Sequence, residues 1–350
     1  MVVGGGVIGL SLAWRLTQQN VKVTVVDAGR AGGEASWAAA GMLAPGGELG
    51  RDTPWSRFSL LSHQLYPGFA QELAEESGID PQWCRCGALS VAGTDIEWDA
   101  LQARAVAQRV FGIPSEAVDA TQIRELAPGI APGVWQGRWY ADDAMVNPRE
   151  LTRALAVACQ KRGAQVLEQT RVLSVSGGEV RTADRVLDAD VVVIAAGAWS
   201  REIAAGETLP LTRPVRGHLI GYWQPLQSLQ SILRRDHTYL LQRENGFLIA
   251  GSSEERAGFN REIDTGIAED VQRRAEALLP QLLGEKYESW VGFRPGTPTG
   301  HPALQRAGER LWLAYGHYRN GILQAPATAE RIAGEILNAR PALCPSTSMA

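Results

Sequence analysis

Apolar positions along the chain alternate between short β-branched runs and stretches with helical spacing. Val2-Val3 reads as the end of a strand, and Ile8, Leu12 and Leu16 share one helical face over Val7 to Gln19. Val21-Lys22-Val23-Thr24-Val25-Val26 then reads as the next strand, giving a βαβ unit. Its first strand is so short that one or more leading residues of the natural chain are expected before Met1. From Gly32 to Gly50 the chain is rich in Gly, Ala and Pro, which suits backbone passing close to a bulky ligand. Helical spacing returns over Pro54 to Ser77. A strand over Ala88 to Ala92, a helix over Trp98 to Val110 and a short helix Thr121 to Leu126 follow, so a different domain is expected to start near residue 80.

Asn147-Pro148 predicts an N-cap with proline at the first helical position, opening a helix through Arg162. Ala164 to Leu167 and Asp190 to Ala195 read as strands, restoring the αβ alternation. Residues 211–290 favour strands, with a hairpin signal at Glu244-Asn245-Gly246 and one helix over Ala268 to Leu283. A strand over Leu311 to Ala314 and a helix over Ala325 to Leu337 close the pattern.

At 350 residues the chain has room for two domains or one large discontinuous one. A formal charge of −4 with 21% charged residues gives no basic excess for nucleic acid or an acidic membrane surface, so the expected partner is a small molecule. Cys84, Cys86, Cys159 and Cys344 are scattered; Cys84-Arg85-Cys86 has neither redox nor zinc spacing, and no metal is expected. No apolar run approaches the ~20 residues of a membrane span. The N-terminus lacks the basic segment of an export signal, so a cytoplasmic location is expected.

The candidate chemistry begins at Gly4-Gly5-Gly6-Val7-Ile8-Gly9. Gly4 permits a tight turn, Gly6 lets backbone N–H groups approach a pyrophosphate, and Gly9 lets helix and strand pack closely. Asp27 closes the following strand, where a carboxylate can accept hydrogen bonds from ribose hydroxyls. These residues predict a dinucleotide without saying which one. The small-residue stretch Arg30 to Leu43, containing Ala39, Ala40, Gly41 and Met42, stands where a nicotinamide-binding domain would start its next helix. Close backbone contact along so long a stretch suits extended FAD.

Together with Gly197-Ala198-Trp199-Ser200, Gly292-Phe293-Arg294-Pro295-Gly296 and Gly316-His317-Tyr318-Arg319-Asn320-Gly321-Ile322-Leu323, these motifs resemble the glycine oxidase family of amino-acid-oxidising flavoenzymes, from Val2 to about Asn338. The resemblance implies an α/β plus antiparallel β fold: a Rossmann-like FAD-binding domain with an inserted antiparallel-sheet substrate domain. The FAD-binding domain would comprise residues 1–80, 145–210 and 291–345, and the substrate domain residues 81–144 and 211–290. It implies non-covalent FAD held by Gly4, Gly6, Val7, Ile8, Gly9, Asp27, Ala28, Ser36, Ala39, Ala40, Gly41, Met42, Leu43 and Val172. Ala196, Gly197, Trp199, His317, Arg319, Asn320, Gly321, Ile322 and Leu323 would complete the cofactor site.

The implied activity is oxidation of glycine, sarcosine and small D-amino acids by molecular oxygen. The imine product would feed a thiazole-synthesis enzyme, and the protein would form a homo-oligomer. In this likeness Arg294 matches the carboxylate-binding arginine, Tyr239 its assisting tyrosine and Arg319 a further active-site arginine, with His237 as a fourth candidate. One departure is Glu254, near which the family commonly has an apolar residue; its carboxylate either favours an amine-bearing substrate or turns to solvent. A sarcosine or D-amino acid oxidase, a quinone-linked dehydrogenase and a partner subunit with a structural flavin are the rival readings. The C-terminal loop has no candidate flavin-linking cysteine, which argues against a covalent sarcosine oxidase.

Overall fold

The β-branched pairs that open the chain lie at the centre of a mostly parallel sheet. In the computed structural model, which describes residues 1–343, Val2–Val3 pairs in parallel with Thr24–Val26 on one side and Val192–Ile194 on the other. Cys344 lies outside the described residues. Gln165–Leu167 extends the sheet beyond Thr24–Val26 and Leu311–Tyr315 beyond Val192–Ile194, both in parallel. Ala303–Arg306 adds an antiparallel edge. The strand order therefore reverses at Val2–Val3. Open parallel sheets bind ligands at such a reversal, beyond the carboxyl ends of the strands.

The connecting helix Val7–Gln18 is enclosed rather than amphipathic, with Leu10, Leu12, Ala13 and Trp14 fully buried. It packs against the helices Pro148–Lys161 and Gly321–Leu343. The second strand is shorter than its apolar run because Val21 N–H closes the helix end onto Leu16 O at 3.2 Å; only Thr24–Val26 pairs in the sheet. Asn147 caps its helix as its sequence predicts, Oδ1 accepting from Arg149 N–H at 3.2 Å with Pro148 at the first position.

The second body is an eight-stranded sheet in the order Tyr287–Gly296, Arg213–Trp223, Phe247–Gly251, Thr238–Gln242, Ile232–Arg235, Ala88–Ala92, Gln136–Tyr140 and Glu116–Asp119. All its pairs are antiparallel except that between Ile232–Arg235 and Ala88–Ala92. The strand Tyr287–Gly296 stays in this sheet through Gly296, beyond the end expected for the substrate segment at residue 290, because its pairing with Arg213–Trp223 runs on to Arg213. The helix expected over Ala268 to Leu283 instead spans Thr265–Leu278: Asp264 Oδ1 caps Ile267 N–H at 3.2 Å, and Pro280 follows its end. No helix among the described residues is long and apolar enough to cross a membrane.

Candidate active site

A cavity of about 450 Å³ opens at the strand reversal and reaches to the face of the eight-stranded sheet. Gly4 has φ +112°, and a Cβ there would lie 2.4 Å from Ala195 O, so only glycine lets the turn pass the neighbouring strand. The first helix then starts at the cavity wall. Gly6 is its N-cap and supplies no side-chain cap, while Val7 N–H donates to Ser36 Oγ at 3.0 Å. The remaining first-turn N–H groups and the positive end of the helix dipole are available to an anion. Asp27 accepts Gly5 N–H at 2.6 Å on Oδ2 and Gly29 N–H at 2.7 Å on Oδ1, leaving a second lone pair on each oxygen for a hydroxyl donor.

Polar side chains converge at the other end. Arg294 donates from Nη1 to Ser253 O at 3.1 Å and from Nη2 to Ser252 Oγ at 2.8 Å, and it makes no ion pair among the described residues. Arg319 differs: Nε and Nη2 donate to Glu48 Oε2 and Oε1 at 3.1 and 3.0 Å, and the Glu48 carboxylate pushes its guanidinium pKa up. Of these two arginines, Arg319 is paired with a carboxylate and Arg294 is not. Tyr239 is buried, and that burial raises its hydroxyl pKa despite the opposing charge of Arg294, keeping it a neutral donor. Burial, with the nearby Glu254 carboxylate, pushes the Tyr318 hydroxyl up to about 12.

Two glycines make room for this group. A Cβ on Gly217 would lie 2.3 Å from Arg294 Nη1, and one on Gly251 2.5 Å from the Tyr239 hydroxyl oxygen. Glu48, Ser252, Gly217 and Gly251 escaped sequence reasoning. Their partners are distant in the chain, and a glycine within a β-rich run was the one available hint.

The structure brings most of the expected residues to this cavity. Gly4, Gly6, Val7, Ile8, Asp27, Ala28 and Ser36 line it, as do Ala39, Ala40, Gly41, Met42 and Val172. Ala196, Gly197, Trp199, Tyr239, Arg294 and the run His317 to Ile322 complete the match. Five of the expected residues differ from the rest in placement or in contacts. Gly9 lies behind the turn, where a Cβ would meet Gly4 O at 1.9 Å, so it packs helix on turn without lining the cavity. Leu43 and Leu323 are buried in the hydrophobic core under the helices. His237 is 85% exposed on the turn before Tyr239, with Asp236 Oδ1 3.5 Å away, because that turn carries its ring out of the sheet. His317 lines the wall as a structural residue: Nε2 bonds Thr328 Oγ1 at 3.0 Å, and burial lowers its pKa to about 3, so it is neutral.

Residues 1–335 match the family described as FAD dependent oxidoreductase, DAO. The chain is 33% identical over 347 residues to the glycine oxidase of Bacillus licheniformis, covering 96% of this chain and 92% of that one. It is 34% identical over 360 residues to the bifunctional protein ThiO/ThiG of Synechocystis sp., covering 97% of this chain and 51% of that one. The solved glycine oxidase of Geobacillus kaustophilus superposes with a TM-score of 0.91 at 31% identity, covering 96% of this chain and 94% of that chain. The residues present fit FAD: a turn in which a Cβ on Gly4 would meet Ala195 O, a helix N-terminus whose N-cap Gly6 brings no side chain against a pyrophosphate, and a carboxylate with free lone pairs for a ribose. The chain belongs to the DAO family of FAD dependent oxidoreductases.

Proposed function

We propose that the protein oxidises glycine, and with it sarcosine and small D-amino acids, to the imine. The observation that carries this reading is Arg294, a cavity-lining guanidinium without a carboxylate partner among the described residues, held by Ser252 and Ser253 beside the neutral Tyr239. A substrate carboxylate can accept two parallel N–H bonds from such a fork, and the Tyr239 hydroxyl supplies a further donor. Arg319 stays bound to Glu48, so the wall presents one net positive charge from these three groups and matches a single carboxylate. A substrate as small as glycine has no other charged handle besides its amine. Anchoring the carboxylate therefore sets the orientation of the Cα–H bond.

The glycine turn and Asp27 would hold FAD, which would supply the two-electron acceptor for that bond, with molecular oxygen as the final oxidant giving hydrogen peroxide. Water converts the released imine to glyoxylate and ammonia unless a thiazole-synthesis enzyme takes it first. The relationship to ThiO/ThiG, whose name joins two activities in one chain, supports such a partner. The same reading places the protein in the cytoplasm as a homo-oligomer, which light scattering after size exclusion checks. A sarcosine or D-amino acid enzyme would use the same clamp and would differ in which substrate reacts fastest.

Anaerobic mixing of the FAD-loaded protein with glycine, sarcosine, D-alanine and D-proline tests the reaction. Bleaching of the flavin absorbance is expected, fastest with glycine. If none of the four bleaches it, the amino acid oxidase reading fails and a structural flavin takes its place. Arg294→Ala should raise KM strongly while FAD stays bound.

A further inference from the structure

Behind Arg294 lies a buried polar network that the reaction itself does not use. The strand Phe247–Gly251 leaves its neighbour Arg213–Trp223 after Gly251, and Ser252 to Glu255 continues alongside Arg216 to His218. Arg216 N–H donates to Glu255 O at 3.0 Å, and Glu255 N–H donates back to Arg216 O at 2.9 Å. By the alternation of a strand, Arg216 and His218 point to the face opposite Gly217, over which the Arg294 guanidinium lies. Both are buried, His218 completely.

The bonds in this network have one consistent assignment. Asp264 N–H can only donate, so His218 Nε2, 3.0 Å away, is the acceptor and carries no proton. The proton sits on Nδ1 and is donated to Glu255 Oε1 at 2.7 Å. Ser253 Oγ accepts His218 N–H at 2.7 Å and donates to the same Glu255 oxygen at 2.5 Å. The other carboxylate oxygen takes Arg216 Nε at 2.7 Å. Arg216 Nη1 reaches on to Asn260 O and Glu262 O at 3.3 and 3.1 Å. Glu255 therefore ties together two strands' worth of backbone, and the residue it fixes most directly is Ser253. The backbone carbonyl of Ser253 accepts from Arg294.

We infer that Glu255 is a positioning residue for substrate binding: through Ser253 it fixes the carbonyl that aims the Arg294 guanidinium into the cavity, with Arg216 and His218 holding the carboxylate itself. The inference rests on the proposed carboxylate role of Arg294. Glu255 lies outside the cavity lining and touches neither substrate nor cofactor, so its effect on the reaction passes through Arg294. Ser253 is the side-chain relay. Removing its hydroxyl leaves its carbonyl and its 3.3 Å N–H bond to His218 O in place, but cuts its links to the Glu255 carboxylate and to His218 N–H.

The test uses the FAD-loaded protein and acetate, the smallest carboxylate with the substrate's skeleton, whose binding is followed by perturbation of the flavin spectrum. Ser253→Ala is the principal variant, since Glu255→Gln leaves Arg216 buried without its counter-charge and can fail to fold. Ser253→Ala, and Glu255→Gln where it folds, should weaken acetate and raise the KM for glycine by about 10-fold, the scale of one hydrogen bond to a charged group, with kcat within about 3-fold. The double variant Ser253→Ala/Arg294→Ala should bind acetate no more weakly than Arg294→Ala alone, because the serine acts only through the arginine. A merely structural serine would lower the melting temperature without this non-additivity. Additive losses, or wild-type acetate affinity in Ser253→Ala while Arg294→Ala has lost it, overturn the inference and leave the clamp standing. Unchanged acetate binding in Arg294→Ala removes the clamp and the inference with it.

Discussion

Gly217→Ala is the sharpest perturbation of the proposed clamp, because it adds one methyl group and no charge. The new Cβ would stand 2.3 Å from Arg294 Nη1, 2.6 Å from Nη2 and 2.7 Å from Cζ, where ordinary contact begins at 3.4 Å. The guanidinium must therefore retreat by about 1 Å, enough to break its 2.8 Å bond to Ser252 Oγ or its 3.1 Å bond to Ser253 O. The clashing atoms are the free end of a flexible side chain, so the fold can absorb the change, and alanine is better tolerated in a strand than glycine by about 0.5–1 kcal/mol. Function has no such freedom. Losing one charge-assisted bond to a substrate carboxylate costs roughly 1.5–3 kcal/mol, which is about a 10- to 100-fold rise in KM for glycine. The assay is peroxide release against glycine concentration, with FAD occupancy read from the visible spectrum and stability from thermal melting. An unchanged melting temperature with raised KM is expected. A KM within about 2-fold of wild type at full FAD occupancy would refute the placement of Arg294 against the substrate.

Two further outcomes are expected. His317 is buried and neutral with its pKa lowered from 6.5 to about 3, so the unfolded chain binds a proton there that the folded chain excludes. Stability from this group is therefore present above pH 6.5 and lost as pH falls toward 3; between pH 7 and pH 5 the loss is about 2 kcal/mol. Denaturant melts of His317→Asn should lack that part of the pH dependence, and a variant that retains the full wild-type slope would contradict it. Glu254 is exposed and lies outside the cavity lining, so Glu254→Gln should leave glycine turnover within a few-fold; a large loss in kcat/KM would show that its carboxylate binds the substrate amine.

Arg294 and Arg319 illustrate how a shared residue type divides its work within the cavity. Arg319 and Glu48 form a bidentate pair, which removes the net charge at that point of the wall and leaves a rigid polar surface. Arg294 is held by a hydroxyl and a carbonyl, which fix its direction without cancelling its charge. Binding one carboxylate requires the second arrangement, since a neutralised arginine gives up its counter-ion only at a cost in solvation and pairing.

Local chemistry was legible from the sequence by itself. The spacing of Gly4, Gly6 and Gly9, with Asp27 closing the next strand, follows from backbone angles and donor positions within one βαβ unit, and the structure reproduces it. The Asn147-Pro148 cap and the Asn245-Gly246 hairpin were equally readable, since each involves a turn of a few residues; Gly246 has φ +90° and Asn245 Oδ1 accepts from Phe247 N–H at 3.1 Å. Tertiary structure alone decided which arginine is left without a carboxylate partner among the described residues, because Glu48 and Arg319 are 271 residues apart. It also decided that Gly217 and Gly251 open space for Arg294 and Tyr239, and that His237 turns away from the cavity although it stands two residues before Tyr239. Sheet register and the turns at strand ends set those relations, and neither is encoded in the few residues around a motif.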